Sequence, residues 1–171
     1  MKHALKLCCL FVILAITGCA GSSSYMVKAA PTEAPPSPDR AMVYFMRPSG
    51  MGFAINFQIW DGDRFVGLSQ AKSYFAYPCE PGRHLFMGFA ENKVAVNAEL
   101  EAGKSYYIGT SVRMGAWKAR MAFQPVTRGS DLWGEVDAYK KDLQYIAPKP
   151  EAIRKWEENK KDEARKWLEG F

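Results

Sequence analysis

Residues 53–68 read FAINFQIWDGDRFVGL, and this stretch decides the fold class. Apolar residues at 53, 55, 57 and 59 alternate with other residue types, which is the period of a half-buried β-strand. Asp61-Gly62 follows, a pair that favours a hairpin turn because glycine tolerates a positive φ. Phe65–Leu68 then returns as the partner strand, so the stretch predicts a β-hairpin.

Similar short runs extend from this hairpin over residues 41–126. Met42–Arg47 is apolar on both faces, which predicts a central strand. The other predicted strands are Ser73–Tyr77, Leu85–Phe89, Val94–Leu100, Tyr106–Val112 and Trp117–Phe123. About eight strands, with a turn every ten or so residues, predict an all-β domain over residues 41–128. We expect a small antiparallel β-sandwich, immunoglobulin-like or prealbumin-like, with a helical C-terminal tail.

Residues 129–171 are predicted to form this helical extension. Ser130 or Asp131 is expected to N-cap a short helix that ends near Leu143. A charged helix over residues 151–169 follows, and it carries an aromatic and aliphatic stripe of Ile153, Trp156, Ala164, Trp167 and Leu168. Two hypotheses stay open for this stripe: it docks on the chain's own sandwich, or it binds a partner protein.

The first nineteen residues predict export and lipidation. Lys2 and Lys6 precede an apolar run of about ten residues, which is too short for a bilayer span of about 20 residues. Cys19 directly follows Ile16, Thr17 and Gly18, and this tetrad resembles the lipobox of bacterial lipoproteins. The resemblance implies a signal peptide over residues 1–18, cleavage before Cys19 and a diacylglyceryl group on its thiol. An ordinary signal peptide with a chance cysteine is the alternative.

The same resemblance bears on location, because lipoproteins retained at the inner membrane often carry Asp after the lipidated cysteine. Ala20 stands there instead, which favours the outer membrane of a two-membrane bacterium. Residues 19–40 are rich in Ser, Ala and Pro and predict a lipidated tether that reaches at most about 70 Å. We therefore expect a cell-envelope protein held by its N-terminal lipid.

Composition narrows the function classes further. Loss of residues 1–18 leaves 21 basic and 18 acidic residues, a net charge of +3, which gives no sign of nucleic-acid binding. Cys8 and Cys9 leave with the signal peptide and Cys19 is acylated, so Cys79 has no cysteine with which to form an internal disulfide.

Four segments carry a resemblance over roughly residues 40–143: Val43–Ser49 (VYFMRPS), Val66-Gly67, Tyr74-Phe75 leading into Pro81–His84, and Leu100–Tyr107 (LEAGKSYY). In this order they resemble an uncharacterised bacterial lipoprotein family, a domain of unknown function, and PEGA-like envelope modules. The resemblance implies a β-sandwich on a lipid tether, with no established catalytic residues to transfer. The charged helix after Pro150 departs from the shorter family pattern.

Cys79 and His84 are the residues that could carry catalysis. A Cys–His pair can act as nucleophile and base, here with Glu80 orienting the imidazole, while the alternative is a buried thiol at a strand end. Structural zinc usually takes four Cys or His ligands, and Asp61-Gly62-Asp63 lacks the distal Glu of a calcium loop. We therefore predict no enzyme activity, no metal and no other cofactor.

Arg113, Lys118 and Arg120 flank Trp117 near the tip of a predicted hairpin. Such a tip suits contact with anionic lipid headgroups or glycans. The alternative is a solvated hairpin with Trp117 in the core.

Together these observations predict a non-catalytic binding or structural module in the envelope. Its expected partner is another envelope protein, and the alternative is a glycan such as peptidoglycan. An exposed Trp156/Trp167 stripe would favour the protein partner, whereas a concave groove lined by tyrosines and Trp117 would favour the glycan.

Overall fold

Two β-sheets packed face to face, each with a helix on its outer side, make up the fold. A computed structural model of the chain describes residues 25–31, 36–115 and 119–171. The strands are β1 Met26–Lys28, β2 Ala41–Arg47, β3 Phe57–Asp61, β4 Arg64–Ser69, β5 Ser73–Cys79, β6 Gly82–Phe89, β7 Lys93–Leu100, β8 Ser105–Met114, β9 Ala119–Pro125 and β10 Gln144–Pro148. A 3-10 turn over Trp133–Glu135 leads into α1 Val136–Asp142, and α2 spans Pro150–Leu168.

The six-stranded sheet has the order β1-β10-β5-β2-β8-β9, and the four-stranded sheet has the order β4-β3-β6-β7. The predicted fold class, mostly β with a C-terminal helix, is confirmed. The predicted antiparallel pairing holds for six of the eight described strand pairs, whereas β10 pairs with β5 and β2 pairs with β8 in parallel. In each case several other elements lie between the two strands along the chain, so no tight hairpin forces the pair to be antiparallel.

Aromatic and aliphatic side chains from both sheets fill the space between them. Phe45 of β2 contacts Phe75 of the same sheet and Phe86 of the opposite sheet, with ring centroids 5.3 and 5.4 Å apart. Burial of one such side chain contributes roughly 1.5–3 kcal/mol. Where β6 faces β9, a Cβ on Gly88 would lie 2.6 Å from Met121 Cε, so this glycine permits the close approach of the two sheets.

Strand β3 begins later than the alternating pattern predicts. The Asp61-Gly62 hairpin to β4 is confirmed, with Gly62 at φ 58°. The chain over residues 51–56, however, forms turns and a loop, and Phe53 is 81% exposed. The side chain of Arg47 binds carbonyl oxygens of this loop, so they are not available for a sheet ladder.

The tether prediction is wrong for Met26–Lys28. These residues form β1, which pairs antiparallel with β10, and Met26 is 2% exposed. The predicted helical extension over residues 129–171 also contains a strand that was not predicted, because β10 at Gln144–Pro148 inserts between β1 and β5. The charged helix is confirmed as α2, whereas neither Ser130 nor Asp131 caps α1, whose N-cap residue is Glu135.

The strand directions give the sandwich two distinct ends. At the tip end lie the C-termini of β2 and β8, Arg47 and Met114, together with the start of β5 at Ser73. The base end holds the starts of β2 and β8, and the N–H of Lys149 donates to the carbonyl of Tyr25 there. The chain therefore enters β1 from the base end.

Candidate functional site

The predicted docking stripe of α2 packs on the outer face of the chain's own four-stranded sheet. Trp156 stacks on Phe65, with ring centroids 5.2 Å apart, and meets the ring of Tyr25 edge-on at 4.4 Å. The ring centroid of Trp167 lies 3.5 Å from that of Phe89, and Ala164 is fully buried. Ile153 and Leu168 also pack against this core. This packing favours the hypothesis that the stripe docks on the chain's own sandwich over the hypothesis that it binds a partner protein.

Polar contacts fix the position of α2 on β4. The backbone N–H of Phe65 donates to Glu157 Oε1 at 2.9 Å. Asp63 accepts a hydrogen bond from Arg165 Nε at 3.1 Å and lies 3.4 Å from Lys161 Nζ. Burial raises the pKa of Asp63, but the two cations lower it by more, so the net shift is downward. Asp63 is thus an anchor for the helix within the Asp61-Gly62-Asp63 turn.

Cys79 and His84 do not form the nucleophile and base of the enzyme hypothesis. The His84 ring bonds Asp61 Oδ2 through Nδ1 at 2.7 Å and the carbonyl oxygen of Glu80 through Nε2 at 2.8 Å. Both are acceptors, so both contacts are hydrogen bonds when both ring nitrogens carry protons. The Tyr77 hydroxyl also donates to Asp61, at 3.0 Å. His84 therefore fastens the β5–β6 turn to the β3–β4 turn.

The Cys79 thiol has a different hydrogen-bond partner from the His84 ring. It is 3% exposed, and its Sγ donates to the carbonyl of Ala41 at 3.9 Å. Burial, followed by the nearby Asp61 charge, raises the pKa of the thiol to about 11. Because the thiolate is the nucleophile, this environment suits a structural cysteine.

The cationic hairpin is only partly described. Arg113 and Arg120 are register partners on β8 and β9, and both are exposed. Arg120 lies 3.9 Å from Glu91. Trp117 and Lys118 lie outside the described residues, as do Cys19 and the lipobox residues Ile16, Thr17 and Gly18.

A concave site, which we call the tyrosine pocket, lies on the outer face of the six-stranded sheet. It encloses about 390 Å³ and is lined by Pro31, Tyr44, Tyr74, Asp137, Lys140, Lys141 and Tyr145. Neighbouring strands β2, β5 and β10 supply the three tyrosines, which are 3–8% exposed and form the floor. Helix α1 supplies the charged wall, and Pro31 lies on the rim.

Lys140 links the charged wall to the aromatic floor. Its ammonium group lies 4.3 Å from the ring centroid of Tyr44 and 5.3 Å from that of Tyr107. These two rings stack at 5.2 Å, and the Tyr74 hydroxyl donates to the carbonyl of Lys140 at 3.3 Å. The cation is therefore held at the aromatic surface by cation–π contacts.

Burial raises the pKa of Tyr44, and the positive charge of Lys140 offsets part of that rise. The pKa of Tyr107 is raised by burial and, to a smaller extent, by Asp137. At neutral pH Tyr44 and Tyr107 therefore stay neutral. The wall beside Tyr44 carries two basic residues, Lys140 and Lys141, and one acidic residue, Asp137. Such a set can hold a polar ligand that carries both hydroxyl groups and a negative charge.

Reasoning from sequence did not find this pocket. The sequence predicts Tyr44 in a central strand and Tyr145 within the helical extension over residues 129–171. One signal was present: Tyr44 and Tyr107 each occupy, in their strand, the face opposite to the core-facing Phe45 and Ile108. The pocket itself depends on β10 and α1, which bring Tyr145 and Lys140 to that face.

No family model, curated protein or solved structure matches this chain. The resemblance to an uncharacterised lipoprotein family thus stays a prediction from the four quoted segments. Within the described residues, no helix has both the length and the apolar character needed to cross a membrane.

Proposed function

We propose that this chain is a lipid-anchored envelope protein, and that its tyrosine pocket is a non-catalytic binding site for a glycan such as peptidoglycan. The observation that carries the proposal is Lys140 held over the rings of Tyr44 and Tyr107 at the wall of a concave site. The alternative, a protein partner bound by the α2 stripe, loses its support because that stripe packs on the four-stranded sheet.

The size and chemistry of the pocket support a glycan fragment. A volume of about 390 Å³ lies within the usual range for small-ligand sites, which is roughly 300–1,000 Å³. Peptidoglycan combines sugar hydroxyl groups with carboxylates. Lys140 and Lys141 are suited to bind a carboxylate, and Asp137 is suited to accept hydrogen bonds from hydroxyl groups.

Titration of soluble muropeptides into the purified chain, followed by calorimetry, tests the pocket. We expect Lys140→Met to weaken binding by roughly tenfold, because one charge-assisted contact contributes about 1.5–3 kcal/mol. Lys160→Met is the matched control, since Lys160 lies on α2 and pairs with Glu163 at 2.8 Å. Equal dissociation constants for the two variants, or no binding by the parent chain, would contradict the proposal.

The proposed anchor needs a separate experiment. Metabolic labelling with a clickable fatty acid is expected to mark the parent chain and to leave Cys19→Ala unlabelled. Label retained on the alanine variant would show that Cys19 is not the acylated residue, whatever the pocket binds.

A further inference from the structure

The loop between β2 and β3 displays large apolar side chains at the tip end. Met51, Phe53 and Ile55 are 52%, 81% and 41% exposed, and Met114 at the end of β8 is 79% exposed. A Cβ on Gly52 would lie 3.6 Å from Val112 Cγ1, so the loop lies against β8. These four exposed side chains, which we call the apolar tip, belong to one end of the sandwich.

A buried arginine holds the backbone of this loop. The Arg47 guanidinium donates to the carbonyl oxygens of Ile55 and Met51 at 2.7 Å each, and to that of Gly52 at 2.9 Å. Arg47 is 1% exposed and lies over the Phe57 ring at 4.7 Å. Because a buried cation is stable only when well hydrogen-bonded, the loop and the arginine fix each other. The hydrogen bonds to Arg47 therefore fix a loop backbone in which the Phe53 side chain is exposed.

Basic side chains border the apolar tip. Lys72 Cε would lie 3.6 Å from a Cβ on Gly50, and Arg113 adjoins Met114 in β8. Among residues 25–31, 36–115 and 119–171, neither Lys72 nor Arg113 forms an ion pair. An exposed apolar surface with a basic rim complements an anionic bilayer. The like charges oppose docking of a second copy tip to tip.

We propose that the apolar tip inserts into an anionic phospholipid surface, as a membrane contact separate from the acyl anchor. The contact itself depends on the loop and its cations, and it does not require acylation or a glycan.

Fluorescence at position 53 tests this contact in the full chain. Phe53→Cys is combined with Cys8→Ser, Cys9→Ser and Cys19→Ser, and the new thiol is labelled with a nitrobenzoxadiazole dye. The chain is then mixed with phosphatidylethanolamine–phosphatidylglycerol vesicles that contain a doxyl-lipid quencher. The matched control carries Phe171→Cys in place of Phe53→Cys, since Phe171 is also exposed, at 58%.

We expect a blue shift and quenching at position 53, no comparable change at position 171, and a loss of the effect on neutral phosphatidylcholine vesicles. Adding Lys72→Gln and Arg113→Gln is expected to reduce the quenching on anionic vesicles. Equal quenching at both positions, or quenching at position 53 that is independent of vesicle charge, would overturn the proposal. Neither outcome bears on glycan binding or on Cys19, so the two proposals fail separately.

Discussion

The two outer faces of the sandwich differ in how completely a helix covers them. On the four-stranded sheet, the 19-residue α2 places Trp156 and Trp167 on aromatic residues of the strands. On the six-stranded sheet, the seven-residue α1 covers part of the face and leaves the tyrosine pocket beside it. The same architecture thus yields a sealed core on one side and a candidate site on the other.

Helix length explains much of this difference. At about 1.5 Å per residue, α2 is about 28 Å long and α1 about 10 Å. Six strands spaced about 4.8 Å apart make a sheet about 24 Å across, which α1 is too short to cover. A concave surface remains beside the short helix, and tyrosines of the six-stranded sheet line it.

The largest expected loss of stability comes from removing a side chain between α2 and the four-stranded sheet. Trp156→Ala removes a ring that contacts both Phe65 and Tyr25, and we expect it to lower the free energy of unfolding by about 3 kcal/mol. Trp133→Ala, at a 43% exposed tryptophan beside α1, is expected to cost less than about 1 kcal/mol. Urea unfolding of both variants measures the contrast. Equal losses would mean that the two faces are equally well packed.

Overfilling the same face is expected to have a smaller effect. Ala164 is fully buried under α2, so Ala164→Leu forces the helix away from the sheet and is expected to cost about 2 kcal/mol. Glu163→Leu, at the neighbouring exposed position, serves as the control in thermal unfolding. A melting temperature unchanged by Ala164→Leu would show that α2 has room to move.

The hydrogen bond between α2 and β4 is expected to contribute less again. Glu157→Ala leaves the N–H of Phe65 without the acceptor that now lies 2.9 Å away, and we expect a loss of about 1 kcal/mol. Amide hydrogen exchange at Phe65 offers a direct local measurement. Protection that stays at the parental level would show that this contact does not hold the helix in place.

On the open face, the expected effect is on tyrosine ionisation. Lys140→Met removes the cation that lowers the pKa of Tyr44, so burial raises that pKa further, with a stability change within about 0.5–1 kcal/mol. Because the folded-state pKa is raised, the stability due to neutral Tyr44 is present below pH 10 and is lost as pH rises above it. Ultraviolet titration of tyrosinate compares this variant with Lys141→Met, for which no upward shift is expected.

Much of the sandwich could be predicted from local patterns. The alternation and turn chemistry around Asp61-Gly62 predict the β3–β4 hairpin, and the doubly apolar run of β2 predicts its central position. Both follow from rules that act over a few neighbouring residues. The helical spacing of the α2 stripe is compatible with docking on the chain's own sandwich. The spacing alone does not identify the surface that the stripe covers.

The features that the sequence does not predict depend on contacts between residues that are far apart in the chain. Arg47 binds the loop that contains Phe53, and this delays the start of β3 in spite of perfect alternation. Met26–Lys28 forms a strand because β10 offers it an edge about 120 residues later in the chain. The tyrosine pocket depends on the same placement of β10, so local alternation indicates only that Tyr44 and Tyr107 lie on the face opposite to the core.

Strand β1 also limits the length of chain between Cys19, the proposed lipidation site, and the folded domain. Ala41 lies 22 residues after Cys19, whereas Tyr25, where the chain enters β1, lies six residues after it. At about 3.3–3.6 Å per residue, the greatest possible distance between Cys19 and the first residue of the domain falls from about 75 Å to about 20 Å. The pairing of Met26–Lys28 with β10 would thus hold the domain within about 20 Å of a lipid on Cys19.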